Sequence, residues 1–338
     1  MQVFLYEFAT GGGFSSSREP PSGPLLAEGK AMIQALTADF SALPDVEVVT
    51  TRDSRLPAFH APTCRVTEIA SPSEERISIQ QLAAAADWTL LIAPETANAL
   101  FDRARLIESA VGRLLSPSSE LIKIAASKQA TANLLDRAGV PAPKGRMLPR
   151  DAKDLPHGFQ FPVVIKPLDG CASQGVRLIR SATDWPDLDD DIADMRVEEF
   201  IPGLPASVAI LCGPAGNHAL PACEQHLSSD GKFKYLGGRL PLAPDLDDRA
   251  RRLALAAIQA LPQPLGYVGV DLVLGDATGG TSDHVIEINP RLTTSYVGLR
   301  RLARENLAAA TLDISIGRQP NISFNTNQLR FTADGTLI

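Results

Sequence analysis

The sequence has few cysteines, no long apolar run and no excess of positive charge. Its four cysteines, Cys64, Cys171, Cys212 and Cys223, are scattered without a C-x-x-C pair. This spacing predicts reduced thiols and argues against a zinc or disulfide framework. No window reaches the apolar length that spans a bilayer, so we expect no membrane partner. The net charge of −7 leaves no basic surface that would indicate a nucleic-acid partner.

The N-terminal segment also lacks the features of a signal peptide. It has no basic start, and its apolar run from Val3 to Phe8 is interrupted by Glu7 and followed by glycines. The composition, 44% hydrophobic and 21% charged, is that of a globular protein. At 338 residues the chain is long enough for two or three domains. We therefore expect a cytoplasmic protein with several domains.

Strand and helix patterns alternate over residues 1–115, which we take as a first domain. Strands are predicted at 2–8, 46–49 and 88–93, with helical spacing between them. This alternation predicts a doubly wound parallel sheet with helices on both faces. Ligands bind beyond the carboxyl ends of such strands. The glycine run 11–13 after the first strand and the PET segment 94–96 after the third lie there, and the glycine run is interpreted as a substrate-side loop, with a plain turn as the alternative.

Two further α+β units are predicted, over residues 116–196 and 197–338. In the first of them the strand 161–166 ends at Lys166 and is followed by a loop of small residues, PLDGCASQG. Small residues let a backbone approach phosphates closely, and Lys128 and Lys166 supply positive charge for a triphosphate. The alternative for Lys166 is an ordinary surface lysine, although the five preceding residues, FPVVI, make a solvated position less expected.

An acid and an amide occur together late in the chain. Glu287 and Asn289 are two apart on a predicted strand, so their side chains point to one face, and Arg291 follows Pro290. Asp271 interrupts another apolar strand, where an acid is costly to bury unless it is paired or bound to a metal. Magnesium prefers oxygen ligands shared with phosphates, and arginine offers a fork of donors to a phosphoryl group. The alternative is a strand end with a solvated acid and a surface arginine.

The order of these motifs resembles the ATP-grasp superfamily across about residues 116–315. The motifs are Lys128, IKP-x-x-G-x-x-S-x-G-V, EEFIPG, GVD and EINPR. The resemblance implies an ATP-grasp architecture, α/β (α+β), in which two α+β subdomains clamp ATP beside the N-terminal doubly wound domain. It implies ATP and Mg²⁺, or Mn²⁺, as cofactors.

The resemblance also implies individual residue roles. The implied roles are phosphate binding by Lys128 and Lys166, a lid loop with Gly170, Ser173 and Gly175, an adenine pocket with Glu198, Glu199 and Ile201, metal binding by Asp271, Glu287 and Asn289, and catalysis by Arg291 and Lys166. Many members carry a glutamate that binds the ribose shortly after the pocket glycine. The matching stretch here, 203–207 (GLPAS), has no acid, so ribose recognition is left open.

Segments outside the ATP site resemble a narrower group, the ATP-dependent carboligases. They are FLYEFATGGG, GPLLAEGKAMIQAL, LIAPETANAL and INPRLTTSYVGLR. The group has members that join tyramine to L-glutamate in methanofuran biosynthesis. The resemblance implies that ATP phosphorylates a small-molecule carboxylate and that an amine attacks the acyl phosphate, with glutamate and tyramine as first candidates. A carboxylase that uses bicarbonate and a non-catalytic nucleotide-binding protein are the alternatives.

The base that would deprotonate the amine is not evident from the motifs. Glu224, His226 and Tyr296 are candidates, and ordinary polar residues on strands and loops are the alternative. The sequence does not indicate an oligomeric state.

Overall fold

Three sheets organise the chain. The computed structural model describes residues 1–58, 64–149, 152–170, 173–186 and 194–338. Over these residues the sheets have four, four and seven strands. In the same part of the chain, no helix combines the length and apolar character needed to cross a membrane.

The first sheet is parallel and carries helices on both faces, as the sequence predicted. Its elements are β1 (Gln2–Glu7), α1 (Gly23–Ser41), β2 (Glu47–Asp53), β3 (Cys64–Ile69), α2 (Pro72–Ala85), β4 (Trp88–Ile92) and α3 (Ala99–Ser109), with a short 3₁₀ turn at Thr96–Asn98. The strand order is β3-β2-β1-β4. Val3 and Leu5 pack with α1, whereas Phe4 and Tyr6 pack with α2 and α3. Successive side chains of one strand therefore serve the two opposite faces.

The second sheet is antiparallel and follows two helices. The elements are α4 (Ser119–Ala125), α5 (Lys128–Arg137), β5 (Gly145–Met147), β6 (Val163–Pro167), β7 (Arg177–Ile179) and β8 (Met195–Glu199), with a 3₁₀ turn at Ala182–Asp184. The strand order is β5-β8-β6-β7. The Ser127 hydroxyl accepts a hydrogen bond from Ala130 N at 3.3 Å and caps α5, which places Lys128 in its first turn. β6 and β7 form the predicted hairpin. Residues 171 and 172 of its loop, including Cys171, lie outside the described residues.

The third sheet is the largest, and it is also antiparallel. The elements are β9 (Leu204–Gly213), β10 (Gly216–Ala219), β11 (Cys223–Leu227), β12 (Tyr235–Leu240), α6 (Pro244–Gln259), β13 (Gly266–Leu274), β14 (His284–Asn289), α7 (Ser295–Leu302), α8 (Leu307–Ser315) and β15 (Leu329–Thr332). The strand order is β14-β13-β9-β11-β12-β15, and β10 pairs with β9. Because β13 and β14 are joined by a short connection and pair directly, Asp271 lies opposite Glu287.

Three elements differ from their predicted form. The single strand expected at 218–224 is divided into β10 and β11, because Pro221 between them has no N–H to continue a ladder. The helix expected at 97–115 ends at Ser109. Val111 adopts a φ of +60°, and Leu114 then forms a parallel bridge with Thr89. The C-terminal tail, for which no pattern was evident, contributes β15 to the third sheet by pairing with β12.

Asp39 on α1 attaches the first domain to the C-terminal helices. Its carboxylate is buried and accepts hydrogen bonds from Tyr296 Oη at 2.7 Å and from Arg300 Nε at 2.9 Å. The Asn306 amide donates to the Asp39 backbone carbonyl at 2.8 Å. Burial raises the pKa of Tyr296 well above its usual value, and the Asp39 charge adds to this rise. The phenol is therefore a neutral hydrogen-bond donor that holds α7 against α1.

We expect Asp39→Ala to lower the free energy of unfolding by about 3 kcal/mol, because it leaves the Arg300 guanidinium partly buried without its partner. The matched control is Asp313→Ala. Asp313 pairs with Arg318 at 3.8 Å on the surface, where loss of an ion pair costs less than about 1 kcal/mol. Urea unfolding followed by circular dichroism measures both changes. Equal shifts for the two variants would contradict the structural role given to Asp39.

Candidate active site

A cleft of about 300 Å³ is lined by residues of the second and third sheets and the loops beside them, together with Lys128 of α5 and Glu28 of α1. Eleven of the predicted site residues line it: Lys128, Lys166, Gly170, Ser173, Glu198, Glu199, Ile201, Asp271, Glu287, Asn289 and Arg291. Gly175 is the exception. It has a φ of +71°, and a β-carbon there would lie 2.8 Å from the Pro167 ring, so it serves the turn of the loop. The structure therefore brings together residues that are up to 163 positions apart.

Three oxygen-bearing side chains meet on β13 and β14. Asp271 pairs with Glu287 across the ladder, and Asn289 lies two residues further on the same strand face. Asp271 accepts hydrogen bonds at 3.0 Å from the Asn289 amide and at 3.0 Å from the Gln225 amide. Burial, and then the Glu287 charge, raise the pKa of Asp271 to about 7. Two adjacent, partly buried carboxylates favour a bound cation, and a set of oxygen donors suits a hard divalent ion such as Mg²⁺ or Mn²⁺.

Lys128 faces this acidic pair. Its Nζ lies 2.8 Å from Glu287 Oε1 and donates to the Gly170 carbonyl at 3.0 Å. Burial alone would lower the pKa of Lys128, but Glu287 more than offsets it and holds the pKa above its usual value. Conversely, burial acts to raise the pKa of Glu287, but Lys128 and Lys166 hold it below its usual value. Both groups are therefore charged at neutral pH and available to a polyphosphate and its metal.

Lys166 forms a second ion pair deeper in the cleft wall. It is buried, and its Nζ lies 2.5 Å from Glu198 Oε1. Arg196 Nε donates to the other oxygen, Glu198 Oε2, at 3.2 Å. The Glu198 side chain is thus occupied by two cations, which leaves the backbone of the Glu198–Ile201 segment as the part that faces a ligand. Because Lys166 is buried and paired with a carboxylate, it is not the ordinary surface lysine that was the alternative from sequence.

The sequence did not single out Arg196, Gln225 or Phe233. Arg196 precedes Glu198 by two on β8, and this spacing places both side chains on one strand face. Phe233, in the connection between β11 and β12, stacks on Phe200 with ring centroids 6.3 Å apart. Its carbonyl also accepts a hydrogen bond from Ser173 Oγ at 2.7 Å. The β11–β12 connection therefore contacts both the small-residue loop after β6 and the predicted adenine pocket.

Two carboxylates from the N-terminal sheet and its helices lie at or beside the cleft. Glu95, in the PET segment, is 5% exposed, and it accepts a hydrogen bond from Arg291 Nε at 3.0 Å. Glu28 on α1 lines the cleft directly. The glycine run forms a tight turn, in which Gly11 N donates to the Glu7 carbonyl at 2.7 Å. The PET segment therefore contacts the cleft residue Arg291 through the Glu95 side chain, whereas the glycine run forms a turn.

The three candidate bases are not among the cleft-lining residues. Glu224 binds Arg239 Nε at 2.9 Å and lies 3.5 Å from His226 Nε2. Tyr296 is 1% exposed and donates to Asp39. These contacts agree with the alternative that the three are structural polar residues.

The sequence and the fold are similar to those of known proteins. Residues 125–295 match the ATP-grasp domain family, and residues 46–122 match the pre ATP-grasp 3 domain family. Tyramine–L-glutamate ligase of Methanocaldococcus jannaschii is 26% identical over 337 residues, which cover 98% of this chain and 94% of the relative. D-alanine–D-alanine ligase of Paramagnetospirillum magneticum is 35% identical over 142 residues, 38% of this chain and 44% of the relative.

A solved structure extends the likeness to the whole chain. A putative ATP-grasp superfamily protein from Archaeoglobus fulgidus superposes with a TM-score of 0.73 and 24% identity, over 98% of this chain and 92% of the other. The match to the ATP-grasp domain family covers the segment from the end of α4 to the start of α7, and thus every residue of the lysine and carboxylate constellation. The chain belongs to the ATP-grasp family and is an ATP-dependent ligase that forms carbon–nitrogen bonds.

Proposed function

We propose that the protein joins a carboxyl group of L-glutamate to the amine of tyramine through an acyl phosphate. One observation carries the chemistry: the buried Lys166, the partly buried Lys128 and the Asp271–Glu287 pair converge on a single cleft. The similarity to tyramine–L-glutamate ligase over almost the full length of both chains supports the choice of substrates. In this proposal residues 1–115, 116–196 and 197–338 act as three domains around the cleft of a cytoplasmic enzyme.

The oxygen donors of β13 and β14 would hold the metal ion. Asp271, Glu287 and Asn289 would bind Mg²⁺ or Mn²⁺ together with phosphate oxygens of the nucleotide, because such hard ions prefer oxygen ligands shared with phosphates. When bound, the metal neutralises charge on the phosphates. Lys128 and Lys166 act beside it as point charges on the phosphate oxygens.

The reaction then has two balanced steps. In the first, a carboxylate oxygen of glutamate attacks the γ-phosphorus of ATP, the bond to the bridging oxygen breaks, and ADP leaves. In the second, the neutral amine attacks the acyl carbon, the bond to the phosphate oxygen breaks, and phosphate leaves while the nitrogen loses a proton. Arg291, next to the metal-site strand, would stabilise the negative charge on the transferring phosphoryl group. Glu198, Glu199 and Ile201 would line the adenine pocket, mostly through their backbone. Gly170 and Ser173 would contact the phosphates.

We expect release of ADP to require an acid and an amine together. Purified protein with ATP and MgCl₂ is incubated with each pair from a panel that includes L-glutamate, D-alanine and bicarbonate as acids and tyramine, ammonia and D-alanine as amines. ADP is measured by a coupled assay, and the amide is identified by its mass. Glutamate with tyramine should give the highest rate and one amide per ADP. ADP formed with bicarbonate alone, or at the same rate without any acid, would refute the proposal.

A further inference from the structure

Glu28 is the point at which the first domain reaches the cleft. The other cleft-lining residues, among those described, all lie at Lys128 or later in the chain. The Glu28 carboxylate is held in place, because Oε2 accepts a hydrogen bond from Thr294 Oγ1 at 3.3 Å. The helix that carries it lies close to the end of β1, since a β-carbon at the neighbouring Gly29 would lie 2.4 Å from Glu7 Oε1. A carboxylate is thus positioned on one wall of the substrate cleft.

No ion pair within 4 Å is found for Glu28 in the described parts of the chain. Arg291 is the cation that acts to lower the pKa of Glu28, and that guanidinium already donates to Glu95. Glu95 itself retains one buried oxygen, Oε2, without a hydrogen-bond partner. Burial raises the pKa of Glu28, which Arg291 only partly opposes. Glu28 and Glu95 thus face one arginine, and a cationic group of a ligand beside Glu28 would offset the burial that disfavours its charged form.

The lysines of the cleft and Glu28 lie on different elements. Lys128 and Lys166 lie beside the small-residue loop after β6, each paired with a glutamate, whereas Glu28 belongs to α1 and has no ion pair among the described residues. A ligand with a carboxylate that must meet the γ-phosphate, and with a positive group elsewhere, matches this arrangement. An α-amino acid is such a ligand.

The attacking amine is a poor match to the Glu28 wall. It must lose its proton before it reacts, and a neighbouring carboxylate favours the protonated form. The ammonium group of the acid substrate takes no part in bond formation and stays charged throughout. A fixed carboxylate therefore suits that group better than the nucleophile.

We propose that Glu28 is a specificity-determining residue that binds the ammonium group of an amino acid and so selects amino acids over simple carboxylic acids as acyl donors. This inference rests on the proposed ligase function. It adds a recognition group from the first domain to the phosphate and metal residues of the other two domains.

The test compares L-glutamate with glutarate, which has both carboxyl groups and no ammonium. With tyramine as the amine, the wild-type enzyme is expected to prefer glutamate in kcat/KM. Glu28→Gln keeps an oxygen for Thr294 and removes the charge. It should reduce kcat/KM for glutamate by about 10- to 100-fold, the range typical for a hydrogen bond to a charged group, and change that for glutarate by less than about threefold. The KM for ATP should not change. Glu47→Gln, an exposed glutamate of the same domain, is the matched control.

Several outcomes would overturn the inference. If Glu28→Gln lowered kcat/KM equally for glutamate and glutarate, Glu28 would instead contact the nucleophile or have a structural role. If the wild-type enzyme had the same kcat/KM for the two acids, the site would not recognise the ammonium group. Calorimetric binding of both acids to the enzyme with Mg²⁺ and a non-hydrolysable ATP analogue makes the same comparison without turnover. If no acid and amine together release ADP, the proposed function fails by itself. In that case the calorimetric comparison still tests Glu28: if glutamate binds no more tightly than glutarate, the proposed role of Glu28 is also wrong.

Discussion

Glu287→Gln is expected to reduce kcat by about 100- to 1,000-fold, the range found when one preorganised group that stabilises developing charge is removed. The variant keeps the size of the side chain and one oxygen. It removes the negative charge that attracts both the proposed metal and Lys128, whose Nζ lies 2.8 Å from Glu287 Oε1. The concentration of MgCl₂ that gives half-maximal activity should rise as well.

The same substitution is expected to change the free energy of unfolding by less than about 1 kcal/mol. Loss of the ion pair with Lys128 is offset, because the repulsion between Glu287 and Asp271 is also removed. Lys128 retains its hydrogen bond to the Gly170 carbonyl. Steady-state kinetics and urea unfolding on one protein preparation separate the two effects. Glu68→Gln, which removes a carboxylate that is 63% exposed, is the control and should leave both quantities unchanged. Undiminished turnover in Glu287→Gln would exclude the metal role.

Arg291→Lys is expected to lower kcat by about 100-fold while the KM for ATP changes little. Arg291 lies two residues after Asn289, and Glu95 accepts a hydrogen bond from its Nε at 3.0 Å. A lysine retains the positive charge beside Glu95, so the fold is preserved. It cannot present the planar fork of donors that matches a phosphoryl group.

Arg301→Lys is the matched control for this substitution, because Arg301 is exposed near the end of α7. Rapid-quench measurement of the first turnover shows whether the loss falls on the phosphoryl-transfer step. If Arg291→Lys raised the KM for ATP and left kcat intact, the residue would be a nucleotide-binding group, and its proposed role in transfer would be wrong.

The strands β13 and β14 were the most predictable part of the molecule. The alternation of Glu287 and Asn289 between apolar residues indicated a common face, and the ladder between β13 and β14 places Asp271 directly opposite. This prediction succeeded because strand periodicity is local, and because two strands close in the chain commonly pair. The parallel first sheet was predictable for a related reason, since alternating strands and helices leave few arrangements.

Strands at sheet edges were less predictable. β3 has a mixed burial pattern, so its sequence shows no clear alternation of apolar and polar residues that would mark a strand. β15 is formed near the chain end by pairing with β12, about 90 residues upstream, so nothing local in the tail reveals it. The connection between β11 and β12 likewise acquires its role only through Phe200 and Ser173, which it meets in the folded protein.

The sequence by itself determined the family, the order of elements and the residue types that serve a nucleotide and a divalent cation, because each of those signals lies within a few residues of chain. Only the tertiary structure decided which charges meet. It paired Lys128 with Glu287 and Lys166 with Glu198, and it brought Glu28 and Glu95 of the first domain to the region of Arg291. Such pairs join segments up to 263 residues apart, and their distances depend on how three sheets pack, which no local pattern encodes.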